Sequence, residues 1–392
     1  MNNSIKSKKL PFIKKKNSPI LIIALGFLAV ILIGAFFLSL PVSNKDGDWL
    51  NFLNALFTST SAVCVTGLTV IDTTFSFTAF GHVVIILLIQ TGGLGVMGIA
   101  TLVFFAIRKK ITLTDRLAMQ QAVGDVPSSK VVGYIRNMVI TTVCIEAIGA
   151  IALMPALVSK FGASGIFKAV FISVSSFCNA GFDLIGNYAS FTGFTTDPLI
   201  SFTIISLIII GGLGFAVIVD LIRKKNFVNL RIHTKMVLIT TAILIVGGTL
   251  LFLLFEFNNP QTLGNLSFPQ KLMASTFQSV TTRTAGFNTI SQVGLTDASK
   301  FLSVIFMFIG GSPAGTAGGV KTSTIAVLIM VSVALIRRHS DVEAFRKRIG
   351  INAIRKALAI FLIALTTLII AVMIISTNEQ GSLVGQAGFL NQ

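Results

Sequence analysis

The chain has 392 residues, 53% hydrophobic and only 11% charged, with a mean hydropathy of +0.88 and a formal net charge of +17. A soluble domain carries roughly 25% charged residues, so this chain cannot clothe itself in a polar surface and takes lipid as its main solvent. That excludes a soluble enzyme or binding module. The placing of the charge also argues against a nucleic-acid partner.

In chain order, basic residues precede an apolar run over 19–40. The run is too long for a signal peptide and no small-residue cleavage site follows, so it reads as a first transmembrane helix. Further apolar spans cover 80–107, 131–157, 198–222, 236–257, 301–336 and 354–376. Between them lie three Ser/Thr/Phe-rich stretches, Trp49–Cys64, Gly165–Cys178 and Phe268–Thr282, each too short to cross a bilayer. Each ends in a glycine turn: Val65-Thr66-Gly67, Asn179-Ala180-Gly181 and Thr284-Ala285-Gly286.

The turn glycines are 114 and 105 residues apart, and the pairs Gly92-Gly93, Gly211-Gly212 and Gly310-Gly311 follow them by 25, 30 and 24 residues. Two landmarks in step across three copies mark an internal repeat. Lys and Arg gather in four clusters, Lys6–Lys16, Arg108–Arg136, Arg223–Lys235 and Arg337–Lys356, which hold 24 of the 31 basic residues. Clusters of this kind mark cytoplasmic loops, and they always fall between units. The repeats are therefore parallel, about one axis normal to the membrane. The expected architecture is an all-α polytopic membrane protein with helix–pore helix–helix repeats around a central pore: three complete units and the first helix of a fourth. The divisions fall at 1–18 (basic, cytoplasmic), 19–116, 117–230, 231–345 and 346–392.

Irregular backbone at membrane depth must be buried or line a wet cavity. Glycine lets the flanking carbonyls turn inward, inward carbonyls replace the hydration shell of an alkali ion, and a half-helix aims its negative C-terminal end at the same point. The turns carry one acidic residue, Asp183, too few for a divalent site. The expectation is a monovalent-cation filter built from backbone carbonyls of Val65, Thr66, Gly67, Asn179, Ala180, Gly181, Thr284, Ala285 and Gly286. For Gly95, Gly214 and the glycine pairs, close helix packing and a role in the pore both stay open.

Among ionisable residues in or near spans, interfacial snorkelling explains Asp220 and Glu256. Glu146 reads as buried with a structural partner or as a proton relay. Cys64, Cys144 and Cys178 match no metal spacing and read as buried small hydrophobes. The third unit departs from the others in Gly310-Gly311-Ser312-Pro313-Ala314-Gly315-Thr316-Ala317-Gly318-Gly319, followed by Val320 and Lys321. Five glycines and a proline cannot hold a helix, which predicts a mobile loop below the filter, acting as a gate.

The strings Cys64-Val65-Thr66-Gly67-Leu68-Thr69, Cys178-Asn179-Ala180-Gly181-Phe182, Arg283-Thr284-Ala285-Gly286-Phe287-Asn288 and Thr316-Ala317-Gly318-Gly319-Val320-Lys321-Thr322 resemble the Trk/Ktr/HKT superfamily of potassium transporters, Ktr-type membrane subunits above all. The resemblance implies K⁺ uptake with Na⁺ as a coupling or activating ion, a homodimer with a pore in each protomer, and a cytosolic nucleotide-binding RCK ring acting on the intramembrane loop. It also implies a multi-pass plasma-membrane protein, and Gly67 rather than serine in the first turn favours K⁺. The basic loops suit such a partner or anionic membrane lipid.

The resemblance carries four units. Here the seventh span is followed by Gln386-Ala387-Gly388-Phe389 with no room for a half-helix before Gly388, so the alternative is a truncated, non-conducting fragment of such a subunit. A membrane-embedded enzyme would need a nucleophile–base pair or ligand cluster within spans. His82, His233 and His339 lie at span ends without one, and no enzymatic activity is expected.

Overall fold

The computed structural model describes residues 19–95, 129–338, 341–345 and 347–386. The N-terminal basic segment, the end of the second apolar span, most of the second basic cluster and the Ala387-Gly388-Phe389 triplet lie outside the described residues.

The chain is helical and its order repeats. In the first unit α1 (Pro19–Ser39) leads to a short α2 (Phe52–Val63), a one-turn α3 (Thr73–Ser76) and α4 (Ala79–Leu94). In the second, α5 (Val131–Phe161) leads to short α6 (Ser164–Phe177), then α7 (Pro198–Leu213) and α8 (Phe215–Arg223). In the third, α9 (Ile232–Glu256) leads to short α10 (Phe268–Thr281), then α11 (Asp297–Phe308) and α12 (Thr322–Ile336). A two-stranded ribbon, β1 (Glu343–Ala344) and β2 (Lys347–Arg348), precedes α13 (Ile351–Gln386). The short helices α2, α6 and α10, of 12, 14 and 14 residues, are those expected from sequence, each ending just before a glycine turn.

Val131–Phe161, Ile232–Glu256 and Ile351–Thr377 are long and apolar enough to cross a bilayer, and α7 with α8 is long and apolar enough only when the two are taken together across their bend. Large apolar side chains such as Ile148, Leu254 and Ile363 stand exposed on these helices, and Ile33 on α1, as a lipid solvent requires and water would punish.

One contact recurs in each unit. A glycine on the long first helix lets a serine of the short helix close in: Gly34 meets Ser59, Gly149 meets Ser173, and Gly248 meets Ser279. A Cβ at these glycines would lie 2.5, 2.5 and 2.3 Å from the serine Oγ. Each hydroxyl donates to the carbonyl three residues before its glycine: Ser59 to Ile31 (2.7 Å), Ser173 to Glu146 (2.6 Å) and Ser279 to Ile245 (3.0 Å). Small residues at a helix crossing with a polar side chain bonded across it are how helices bind one another where no hydrophobic drive exists.

The second helices begin on matched caps. Asp197 Oδ1 accepts from Leu199 N and Ile200 N at 2.9 and 3.2 Å, while Thr78 and Thr296 accept from Gly81 N and Ser299 N at 3.4 and 3.3 Å. The apolar span expected over 198–222 is bent: α7 and α8 meet at 95°. Gly214, at φ +86°, ends α7 in a conformation that L side chains rarely adopt.

The two carboxylates read as snorkelling are buried. Glu256, fully buried, accepts from Asn259 Nδ2 (2.6 Å), Thr262 Oγ1 (2.6 Å), Thr296 N (2.9 Å) and Thr296 Oγ1 (2.7 Å). It clamps the end of α9 to the cap of α11. Asp220 does the same on the basic face, accepting from Arg231 N (2.9 Å) and Thr234 Oγ1 (2.8 Å) and pairing with Lys224 at 3.3 Å. Of the cysteines only Cys178 is buried; Cys64 and Cys144 are exposed.

Glu256→Ala strands several buried donors, each costing about 1–3 kcal/mol when left unpaired. The expected result is a clear fall in the melting temperature of detergent-solubilised protein, with a smaller fall for Glu256→Gln, which keeps one acceptor oxygen. Equal melting of all three proteins would show the clamp carries no stability.

Candidate functional site

The three turns repeat one backbone conformation. Val65, Asn179 and Thr284 have φ of +56°, +57° and +64°, and Gly67, Gly181 and Gly286, two residues on, have +79°, +74° and +86°. Alternation of left-handed and ordinary residues turns successive carbonyls away from the α-helical direction. A β-branched or asparagine residue at the first position is strained; the neighbouring helix end holds it there. Thr66 N and Ala180 N reach back to Ser61 O and Ser175 O, both at 2.8 Å, and Ala285 N to Thr281 O at 2.9 Å.

The turns meet at the centre of the molecule. A Cβ on Gly67 would lie 2.6 Å from Ala180 O and 3.0 Å from Gly181 Cα. One on Gly181 would lie 2.7 Å from Ala285 O and 3.2 Å from Gly67 Cα; one on Gly286 would lie 3.2 Å from Gly181 Cα and 3.8 Å from Thr66 O. The carbonyl before one glycine is therefore addressed to the glycine of another unit. The structure brings all nine predicted turn residues into three neighbouring segments, with the carbonyls of Thr66, Ala180 and Ala285 each close to a glycine of another unit. The helix ends α2, α6 and α10 abut the same point and direct their negative poles there.

The glycine pairs turn out to be places of backbone-to-backbone packing. A Cβ on Gly92 would lie 2.1 Å from Val63 O, and one on Gly211 1.9 Å from Phe177 O, the last helical carbonyls of α2 and α6. Gly93 packs on Cys178 Sγ. In the third unit Gly310 faces its own loop, its Cβ position 1.8 Å from Gly318 O.

The loop over Gly310–Lys321 breaks the span as expected but is hydrogen-bonded throughout rather than free. Ile309 and Val320 form a bridge, Gly311 N donates to Gly318 O (3.1 Å), and Thr322 N to Gly311 O (2.9 Å). Ser312 Oγ and Thr322 Oγ1 are 3.0 Å apart, and Lys321 Nζ donates to Ala317 O at 2.7 Å. The loop is also strapped to the second unit: Ser312 N to Gly212 O (2.9 Å), Thr316 N to Gly211 O (3.1 Å) and Phe215 N to Ala314 O (3.2 Å). Gly315 packs on Gly212 O, and Pro313 O lies 2.5 Å from where a Gly214 Cβ would be.

On the side away from the basic loops, a cavity of about 120 Å³ has the three turn glycines in its wall with Asp183, Asp72, Thr69, Tyr188 and Asn288. Asp183 Oδ1 accepts from Ile185 N at 2.9 Å. Asp72, which the sequence reading passed over, caps α3 through Oδ1, while its other oxygen is buried without a donor. The signal available was the Asp-Thr-Thr start of a helix turn close after Gly67.

Glu146 stands behind the second turn. It accepts from Gln90 Nε2 at 3.1 Å and lies 3.8 Å from Cys178 Sγ, the structural partnership among the readings kept open. Arg283, in the slot that Cys64 and Cys178 hold before the other glycines, is 4% exposed and reaches Thr241 Oγ1 at 3.5 Å, its Nε unpaired. Among the described residues no group of three His, Cys, Asp or Glu side chains is placed to hold a metal ion.

Parallel units of long helix, short half-helix and glycine turn, converging on a carbonyl-lined centre within an apolar helical body, define a multi-pass membrane transporter of cations. The chain belongs to the TrkH family of cation transport proteins, whose family model matches residues 7–385. It is 38% identical to the potassium/sodium uptake protein NtpJ of Enterococcus hirae, over 94% of this chain and 81% of that one. It is also 38% identical to the Ktr system potassium uptake protein B of Bacillus subtilis, over 93% and 81%. The crystal structure of the potassium transporter TrkH from Vibrio parahaemolyticus shares the fold at a TM-score of 0.68 and 18% identity, covering 90% of this chain and 70% of that one. The chain is a transporter and not an enzyme, and its match spans about four fifths of the length of each of the two uptake proteins.

Gly181→Ala places a methyl 2.7 Å from Ala285 O in a left-handed residue, and backbone cannot yield as a side chain would. Cation uptake by cells expressing the variant is expected to fall about tenfold or more, the factor set by a strain near 1–3 kcal/mol. Gly47→Ala, also left-handed at φ +74° but with nothing within 4 Å, is expected to transport normally.

Proposed function

We propose that this chain is the membrane subunit of a potassium uptake system and that K⁺ passes through a filter formed by the carbonyls of Val65, Thr66, Gly67, Asn179, Ala180, Gly181, Thr284, Ala285 and Gly286. The observation that carries the reading is the convergence of three turns of one conformation on a single point, each presenting backbone oxygen to the glycine of a neighbour. Carbonyl oxygens at a helix C-terminus favour a cation with no fixed carboxylate to hold it, which suits a weakly bound monovalent ion. The names of the relatives, potassium or potassium/sodium uptake proteins, support K⁺ as the cargo, with Na⁺ as a coupling or activating ion.

The loop Gly310–Lys321 is the gate in this reading. It sits against the second and third turns from the side of the basic loops and joins two halves of a broken helix, so its displacement changes what lies beneath the filter. The units run 19–116, 117–230 and 231–345, with 346–392 beginning a further one. The basic loops face the cytoplasm across the plasma membrane, which also places the N-terminus inside. There they meet a nucleotide-binding RCK ring, and two protomers associate as a homodimer. A "Ktr system" relative supports an assembly of more than one component.

Two measurements test this. K⁺ flux into proteoliposomes carrying the full chain should exceed flux into empty ones and be depressed by Gly181→Ala; equal flux in all three would overturn the filter. Removing Pro313–Ala317, which leaves the Ile309–Val320 bridge to close the shortened loop, should raise the rate. An unchanged rate rules the gate out.

A further inference from the structure

Two of the three turns are bonded to the loop through side chains. Thr316 Oγ1 lies 2.9 Å from Phe177 O and 3.1 Å from Asn179 Oδ1, so one hydroxyl proton is shared between the end of α6 and the first residue of the second turn. Gly318 N donates to Thr284 Oγ1 at 2.8 Å, gripping the first residue of the third turn. Asn179 and Thr284 are the left-handed, strained residues of their turns, at φ +57° and +64°. For a β-branched threonine that conformation is an outlier, held only while its surroundings over-determine it. The equivalent residue of the first turn, Val65, has no side-chain group to bond. The loop therefore holds the two polar turn residues at the points where their backbones are least content.

The same loop is anchored by main chain to α7, at Gly211 O and Gly212 O, so it cannot slide past the filter and keep these two bonds. Moving it breaks the grip on Asn179 and Thr284 together and frees both turns to relax.

We propose that Thr316 and Thr284 are positioning residues that latch the loop to the filter, so that opening the loop and loosening the filter's ion discrimination are one event. This inference rests on the filter and gate reading above. It adds that the two parts are mechanically joined, and that the ion ratio is a property of loop position rather than of the turns alone.

The experiment compares total rate and the K⁺ to Na⁺ flux ratio in proteoliposomes for the full chain and for Thr316→Val, Thr284→Val, Thr316→Ser and the double valine variant. Valine keeps the shape and removes the hydroxyl. Each valine variant should transport faster and lose discrimination, both by roughly fivefold, the factor one net hydrogen bond commands. Thr316→Ser should restore both values, which a merely structural volume effect would not. The double variant should fall no further than the larger single, because either break releases the same element. A faster rate at an unchanged ion ratio would show an independent gate and overturn the latch, as would valine variants that reconstitute normally and match the parent in both readouts. Failure of the filter reading looks different: there Gly181→Ala itself leaves flux and ratio untouched.

Discussion

Everything in this molecule accommodates one contact, the approach of a main-chain carbonyl of one unit to a glycine Cα of another near the centre of a lipid-solvated body. At Gly67 and Gly181 the space where a Cβ would stand is already filled by Ala180 O and Ala285 O. No side chain intervenes, and backbone can be placed this closely only if rigid elements bring it there. Peptide groups at that depth have no water to fall back on. The short helices supply the answer: they satisfy their own backbone over most of their length and deliver the turns at their C-terminal ends to one point.

Holding three half-helices at one point sets the pattern of small residues around them. Behind each lies a first helix with a glycine, Gly34, Gly149 or Gly248, that lets a serine dock onto a helix carbonyl. Below the first two pass second helices whose glycines Gly92 and Gly211 admit the carbonyls of Val63 and Phe177. These are packing glycines in the strict sense, and yet they fix the turn, because a side chain there would push the half-helix off the axis. Of the two readings that the sequence left open for the glycine pairs, close packing is the one the structure shows. Packing is also how they hold the turns in place.

Much of this was legible. Turn glycines at matched spacing with polar half-helices before them gave the units, and the short helices α2, α6 and α10 begin and end within a few residues of the expected stretches. What escaped was information that spacing does not carry. Glu256 and Asp220 sit near span ends, where a snorkelling carboxylate is ordinary, and only the folded loops show Thr262 and Thr296, or Thr234 and Arg231, closing over them. Asp72 belongs to a loop that folds back beside turns from two other units, a meeting that no local pattern announces. The glycines Gly34, Gly149 and Gly248 were hidden because a single glycine in an apolar helix has no signature; its meaning lies in the serine opposite.

The loop in the third unit follows from the same geometry. Counting three residues on from the first glycine of each pair gives Gly95, Gly214 and Pro313. Gly95 and Gly214 end α4 and α7 with φ of +77° and +86°, and after Gly214 the chain resumes at once as α8, turned through 95°. Proline is locked near φ −65°, so Pro313 cannot make that turn. The third unit takes another route: α11 already ends at Phe308, before its glycine pair, and the chain makes an irregular excursion that re-forms helix only at Thr322. The excursion is not loose, because the two equivalent positions meet: Pro313 O fills the space beside Gly214 that a side chain would need, and Ala314 O takes the free N–H of Phe215. The bend of the second unit thus supplies the seat for the loop of the third.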